Sequence, residues 1–207
     1  MDKKEFYEES QMTYAQLVGF LKSKYGKAKC DYFADKGCTR KGDNISRTAE
    51  GLFCHHVDED KAIMLGNPDY AKMNPFKYQK ADRLVYCNLL EHLLLHVKIT
   101  EEPLSKKANK FELLGIGGAV ILCKQISDYY ETREPAYKWM APACEVIDEN
   151  YDEYISIVRH LAEVIKVKPA YKQYSEIDGV WQRVIGTQLE ELDKILKKQN
   201  KETKTKE

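Results

Sequence analysis

Four of the five histidines of this chain fall in two short stretches, and their spacing ties distant parts of the sequence together. In LFCHHVDE, Leu52 to Glu59, His55 and His56 are adjacent within an apolar run that follows a glycine, the pattern of a short strand. In CNLLEHLLLHVKI, Cys87 to Ile99, His92 and His96 stand four apart, one helical turn, on an apolar segment. Successive strand residues point to opposite faces, whereas residues four apart on a helix share one. One imidazole of the first pair can therefore meet both of the second, and the other is directed away. Three nitrogen donors gathered in this way make a candidate site for one metal ion.

The elements around these stretches have their own signals. Thr13 and Gln16 form a capping-box pattern ahead of a helix with Leu17, Val18, Phe20 and Leu21 on its apolar side, and Gly26 can end it. From Lys27 to Glu50 the sequence is polar and glycine-bearing, which predicts loops with one irregular hairpin. Asn67-Pro68 and Asn74-Pro75 each place a capping residue before a proline at a first helical position. RLVYC, Arg83 to Cys87, reads as a second brief strand, Asn88 as the cap of the helix that follows, and Pro103 as its breaker. Apolar periodicity then predicts helices over about Lys110–Tyr130, Tyr137–Ile147, Asn150–Val167 and Val180–Gln199. The expected fold class is α+β and mostly helical. We divide it into a domain that carries both histidine stretches, with its N-terminal helix, over residues 1–103, a helical region over 104–199 that packs on it or mediates dimerisation, and a disordered tail over 200–207.

Composition narrows the classes. The chain has 207 residues, 43% hydrophobic and 32% charged, which suits a folded soluble protein of one compact domain with an appendage or two small ones. Its 33 basic and 33 acidic residues cancel, so a nucleic-acid partner must be met by a local patch and not by a global field. MDKKEFYEESQM lacks the apolar core of a signal peptide, and no apolar run is long enough to span a bilayer, so a cytoplasmic location and no membrane partner are expected. The six cysteines form no C-x-x-C pair and read as reduced, buried thiols; a four-cysteine zinc site from Cys30, Cys38, Cys54 and Cys87 lacks the usual paired spacing.

Several chemistries are excluded by single residues. A zinc protease needs Glu directly after the first histidine of the helical pair, but Leu93 stands there, and Glu91 on the other side points off the ligand face. GIGGA, Gly115 to Ala119, follows no strand and completes no phosphate-loop pattern, so close helix packing is the better account of its glycines. His160 falls on the exposed-to-boundary side of its helix and receives no role.

Taken together, His55-His56, the segment Arg83-Leu84-Val85-Tyr86-Cys87 and the helical Glu91-His92-Leu93-Leu94-Leu95-His96 resemble the HNH endonuclease family with its ββα-metal motif. The match covers residues 52–99. The resemblance implies that His55, His92 and His96 ligate one divalent metal ion, and that His56 is the general base that deprotonates an attacking water. Imidazole, with an ordinary pKa near 6.5, is suited to that task. Three nitrogen ligands suit zinc, nickel, manganese or cobalt, and magnesium less naturally, yet the family is associated with several ions, so the expectation stays at one divalent ion (Zn, Mg, Mn or Ni).

The chain departs from the family at Arg83, which occupies the position of the central Asn and can neither accept a hydrogen bond nor coordinate a cation. Asn88 is either a substitute loop tie or a plain helix cap. Asp58 and Glu59 either orient a ligand imidazole or are solvated turn residues. Lys36, Arg40, Lys41 and Arg47 are the candidate phosphate contacts. The expected partner is nucleic acid, DNA foremost and RNA next, and a homodimer would suit cutting both strands. The competing expectation is a non-catalytic binding module clamped by its metal, such as a phage or defence-system component.

Overall fold

The computed structural model describes residues 2–102 and 114–167. Seven helices and two strands appear among them: α1 Lys3–Gln11, α2 Tyr14–Tyr25, β1 Phe53–His56, α3 Pro68–Lys72, β2 Leu84–Cys87, α4 Leu89–Glu101, α5 Ile116–Thr132, α6 Ala141–Ile147 and α7 Tyr151–Val167. The architecture is mostly helical with one small antiparallel sheet, an α+β arrangement.

The predicted caps form where the local chemistry calls for them. Thr13 and Gln16 exchange side-chain and backbone hydrogen bonds at the start of α2, and Gly26 closes that helix at φ 80°. Asn88 and Glu91 do the same for α4, at 2.7 and 2.9 Å. Asn67 caps α3 with Pro68 in its first turn. At the second Asn-Pro step the expectation is corrected. Pro75 takes the cap position of a 3-10 turn over Phe76–Gln79, and the Asn74 amide bonds back to the Tyr70 carbonyl, closing α3 instead of opening the next turn. The polar stretch after Gly26 is irregular, with isolated antiparallel bridges between Phe33 and Lys41 and between Arg47 and Leu52.

The strands are each slightly shorter than the sequence suggests and pair in the register Phe53 with Cys87, Cys54 with Tyr86, His55 with Val85 and His56 with Leu84. Alternation then sorts the side chains. Phe53, Val85 and Cys87 join the main core beneath α4, while Cys54, Leu84 and Tyr86 pack with Ala28, Ile45 and Leu52 on the opposite face. The same alternation disposes of a four-cysteine site: Cys54 and Cys87 face opposite sides of the sheet, and Cys38 sits in a separate cluster with Phe33 and Ala71.

Helix α4 is buried nearly all round, and its buried Glu91, Lys98 and Thr100 are each hydrogen-bonded. It packs against α2, α5, α6, α7 and both strands. One continuous core therefore runs from Phe6 of α1 to Ile165 of α7, across the expected boundary near residue 103. Lys24 of α2 ties α1 and α4 together, at 2.9 Å from Glu5, 3.2 Å from Glu9 and 2.6 Å from Glu91. Glu91 is thus held by Lys24, Tyr25 and its own helix cap, turned away from the histidines.

Helix α1 is not foreseen from the sequence, because KKEFYEESQ offers almost no apolar periodicity; Asp2 caps it and Phe6 anchors it. The predicted element from Tyr137 to Ile147 divides into a 3-10 turn over Lys138–Met140 and α6. Pro103, the start of the predicted Lys110–Tyr130 helix, the Val180–Gln199 helix and the 200–207 tail lie outside the described residues. Among those described, no helix is long and apolar enough to cross a membrane.

Candidate metal centre

Strand β1 and helix α4 bring His55, His92 and His96 together so that one ligand atom from each lies within 4.8 Å of the others. Their ring centroids are 5.0 to 5.3 Å apart. In each ring Nδ1 is buried and lacks a hydrogen-bond partner, an arrangement that costs free energy unless the cluster takes up something electrophilic. Among the described residues this is the one cluster with metal-ligand spacing. Three neutral imidazoles converging in this way could hold a metal ion.

Hydrogen-bond bookkeeping fixes the tautomer of His55. The Tyr14 hydroxyl has one proton, and it donates to the Val57 carbonyl at 2.9 Å. The 3.0 Å contact between Tyr14 Oη and His55 Nε2 must therefore be an N–H donation from the histidine. That leaves the lone pair on Nδ1, facing the cluster, as a ligating imidazole requires. Burial, and then the neighbouring histidines, hold His55 and His92 well below the ordinary imidazole pKa, and burial lowers His96 to about 4, so all three are neutral near pH 7.

The berth of the His96 ring is cut into α5. A Cβ at Gly118 would overlap the ring, clashing with Cε1 and Nδ1 and lying 2.6 Å from Nε2, and at Gly115, φ 84°, it would lie 2.6 Å from the His96 carbonyl. Gly115 and Gly118 of GIGGA thus serve close helix packing, and Gly117 does not. Gly118→Ala is expected to destabilise the fold by about 1–3 kcal/mol and to displace the ring. Gly117→Ala, which meets nothing within 4 Å, is expected to stabilise by up to about 1 kcal/mol. Thermal melts of the two variants side by side check both signs.

His56 emerges on the opposite face of β1. Its ring packs against Tyr32 at a centroid distance of 4.4 Å, and Nε2 lies 2.9 Å from Gln79 Oε1. Gln79 Nε2 donates to the Leu65 carbonyl at 3.1 Å, which orients the amide so that its oxygen accepts the His56 N–H. The His56 lone pair is therefore on Nδ1, 3.9 Å from Glu59 Oε1. Burial lowers this histidine to about 4 against the opposing effect of the Gln79 bond.

The two carboxylates after the histidines part company within the 3-10 turn Val57–Asp60. Asp58 does not orient a ligand imidazole. It receives two bonds of 2.6 Å from Arg83 and one of 2.7 Å from Lys61, because its position on the turn aims it at the entrance of β2. Arg83 thus ties the loop after β1 to the start of β2 as a donor. Asn88 is a helix cap. Glu59 is the one that faces the rings: Oε2 is 3.4 Å from His96 Nε2 and 3.6 Å from His55 Nδ1, and burial pushes its carboxyl up to about 8.

The candidate phosphate contacts are dispersed. Arg40 pairs with Asp43, and Arg47 forks onto Glu50, donates to the Tyr25 carbonyl and lies over the Tyr86 ring, so Arg47 stabilises its own loop instead of remaining free. Lys36 is exposed. Lys41 alone reaches toward the histidines, lying over the Tyr32 ring that covers His56. His160 pairs with Glu101. Sequence reasoning missed Tyr14, Gln79 and Gly118, each brought in by a long-range contact. A comparison of the chain with protein-family models, curated proteins and solved structures finds no match.

Proposed function

We propose that this chain is a metal-dependent endonuclease of the HNH type that hydrolyses phosphodiester bonds in nucleic acid, DNA foremost. The observation that carries the reading is the division of two adjacent histidines between the faces of β1. One joins a pair on α4 in a cluster with buried, unpartnered nitrogens, and the other keeps a lone pair on Nδ1, turned toward Glu59. A divalent ion held by His55, His92 and His96 would polarise a scissile phosphate and stabilise the charge that develops on it. His56 Nδ1 takes the proton of the attacking water, while Gln79 and the Leu65 carbonyl hold the Nε2 proton in place. Tyr14 keeps His55 in the ligating tautomer. Asp58 and Arg83 hold the turn that carries Glu59.

A second reading has an observation of its own. His56 is only 2% exposed beneath Tyr32, which suits a structural clamp in which the ion joins β1 to α4 and the protein works by binding. Supercoiled plasmid incubated with the native protein and Mg2+, Mn2+, Ni2+ or Zn2+ separates the two. Nicking that chelator stops is expected. Metal binding with no cleavage of DNA or RNA, together with unfolding on chelation, would establish the clamp instead.

A further inference from the structure

We propose that Glu59 is a fourth protein ligand of this centre, giving a donor set of three imidazoles and one carboxylate. The inference rests on the metal-site part of the reading above and goes beyond the three histidines. The 3-10 turn that follows β1 carries Glu59 back over the strand end, so that positions three and four residues earlier, His56 and His55, lie beneath its carboxylate. Two ligand atoms about 2.1 Å from a shared tetrahedral ion sit roughly 3.4 Å apart. Glu59 Oε2 stands at 3.4 Å from His96 Nε2 and 3.6 Å from His55 Nδ1.

The local charges point the same way. Glu59 has a side chain only 17% exposed, and its ion-pair neighbours among the described residues are histidines alone. The nearby cations are committed elsewhere: Arg83 to Asp58, and Lys61 to Asp58 and Asp60. A buried carboxyl group among neutral imidazoles, with no lysine or arginine beside it, has no cation to stabilise its charged form. A divalent ion would supply it, and an oxygen donor beside three nitrogens is a common complement for zinc, manganese or cobalt.

The rival role is orientation, with Glu59 accepting an N–H from His96 while the rings alone bind the ion. Glu59→Gln distinguishes the two, since an amide still accepts that hydrogen bond but ligates poorly. Cobalt(II) affinity by chelator competition, with the visible spectrum of the bound ion, is measured without nucleic acid. A fall of at least about 100-fold with an altered spectrum is expected, beyond the range typical of outer-sphere partners. Affinity within a few-fold of native with an unchanged spectrum would overturn the proposal. A crystal structure of the cobalt-loaded native chain probes the same ligand without a variant: a Glu59 oxygen about 2.0–2.2 Å from the ion supports it, and a water in that place refutes it. If Glu59→Gln loses cobalt but the native protein never nicks plasmid, the ligand assignment stands and the nuclease reading fails. If the plasmid is nicked and cobalt binding is indifferent to the variant, the reverse holds.

Discussion

His92→Ala is expected to weaken divalent-metal binding by more than about 100-fold while leaving the metal-free fold close to native. His92 is the least buried of the three rings, and its Nδ1 makes no hydrogen bond that the substitution would orphan. The ring contributes contact with Phe53, at a centroid distance of 5.8 Å, so a modest loss of stability follows from its removal. Metal binding is another matter, because one of the three imidazoles that fix the ion is lost and the donors that remain hold it far more weakly. Zinc at 100 times its dissociation constant stabilises a native fold by about 2.7 kcal/mol. For a chain of this size that corresponds to a rise in Tm of about 5–10 °C. Melts with and without zinc should show the rise in the native protein and little in His92→Ala.

His56→Ala has the opposite signature. Because strand alternation places His56 on the other face of β1, its removal leaves His55, His92 and His96 where they are, and metal content should be unchanged. Loss of a general base costs about 10²–10⁴-fold in the chemical step, so the rate of plasmid nicking is expected to fall by that factor. The ring is buried against Tyr32 and bonded to Gln79, so the variant is also expected to melt lower, by about 2 kcal/mol of stability. A matched assay temperature below both transitions keeps the two effects apart. Equal rates for native and variant would remove His56 from the chemistry.

The parts of this fold that can be read from the sequence are those set by neighbours a few residues apart. Thr13 with Gln16 and Asn88 with Glu91 announce their helices because a capping box closes within four positions. The histidine cluster is legible for a related reason: periods of two and of nearly four dictate which rings share a face. Where the period is broken, the sequence is silent. Asp58 and Glu59 are adjacent carboxylates, and only the 3-10 geometry of their turn decides that one meets Arg83 and the other the imidazoles.

The contacts that tune the histidines are out of reach for a different reason. Tyr14 and His55 are 41 positions apart, and Gln79 and His56 are 23 apart. Neither tyrosine on an amphipathic helix nor glutamine in a polar loop carries a local mark of such a bond. Gly118 can be recognised as a packing glycine, but not as the wall behind His96. Helix α1 escapes notice because its buried Glu9 owes its place to Lys24 of the next helix and not to apolar periodicity.

Everything proposed for this chain depends on β1 and α4 building one metal site from His55, His92 and His96. Calorimetric titration of the metal-free native chain with zinc tests it most directly. A single site per chain, saturating at one ion and far weaker in His92→Ala, is the predicted result. No heat of binding, or the same isotherm in both proteins, would contradict it.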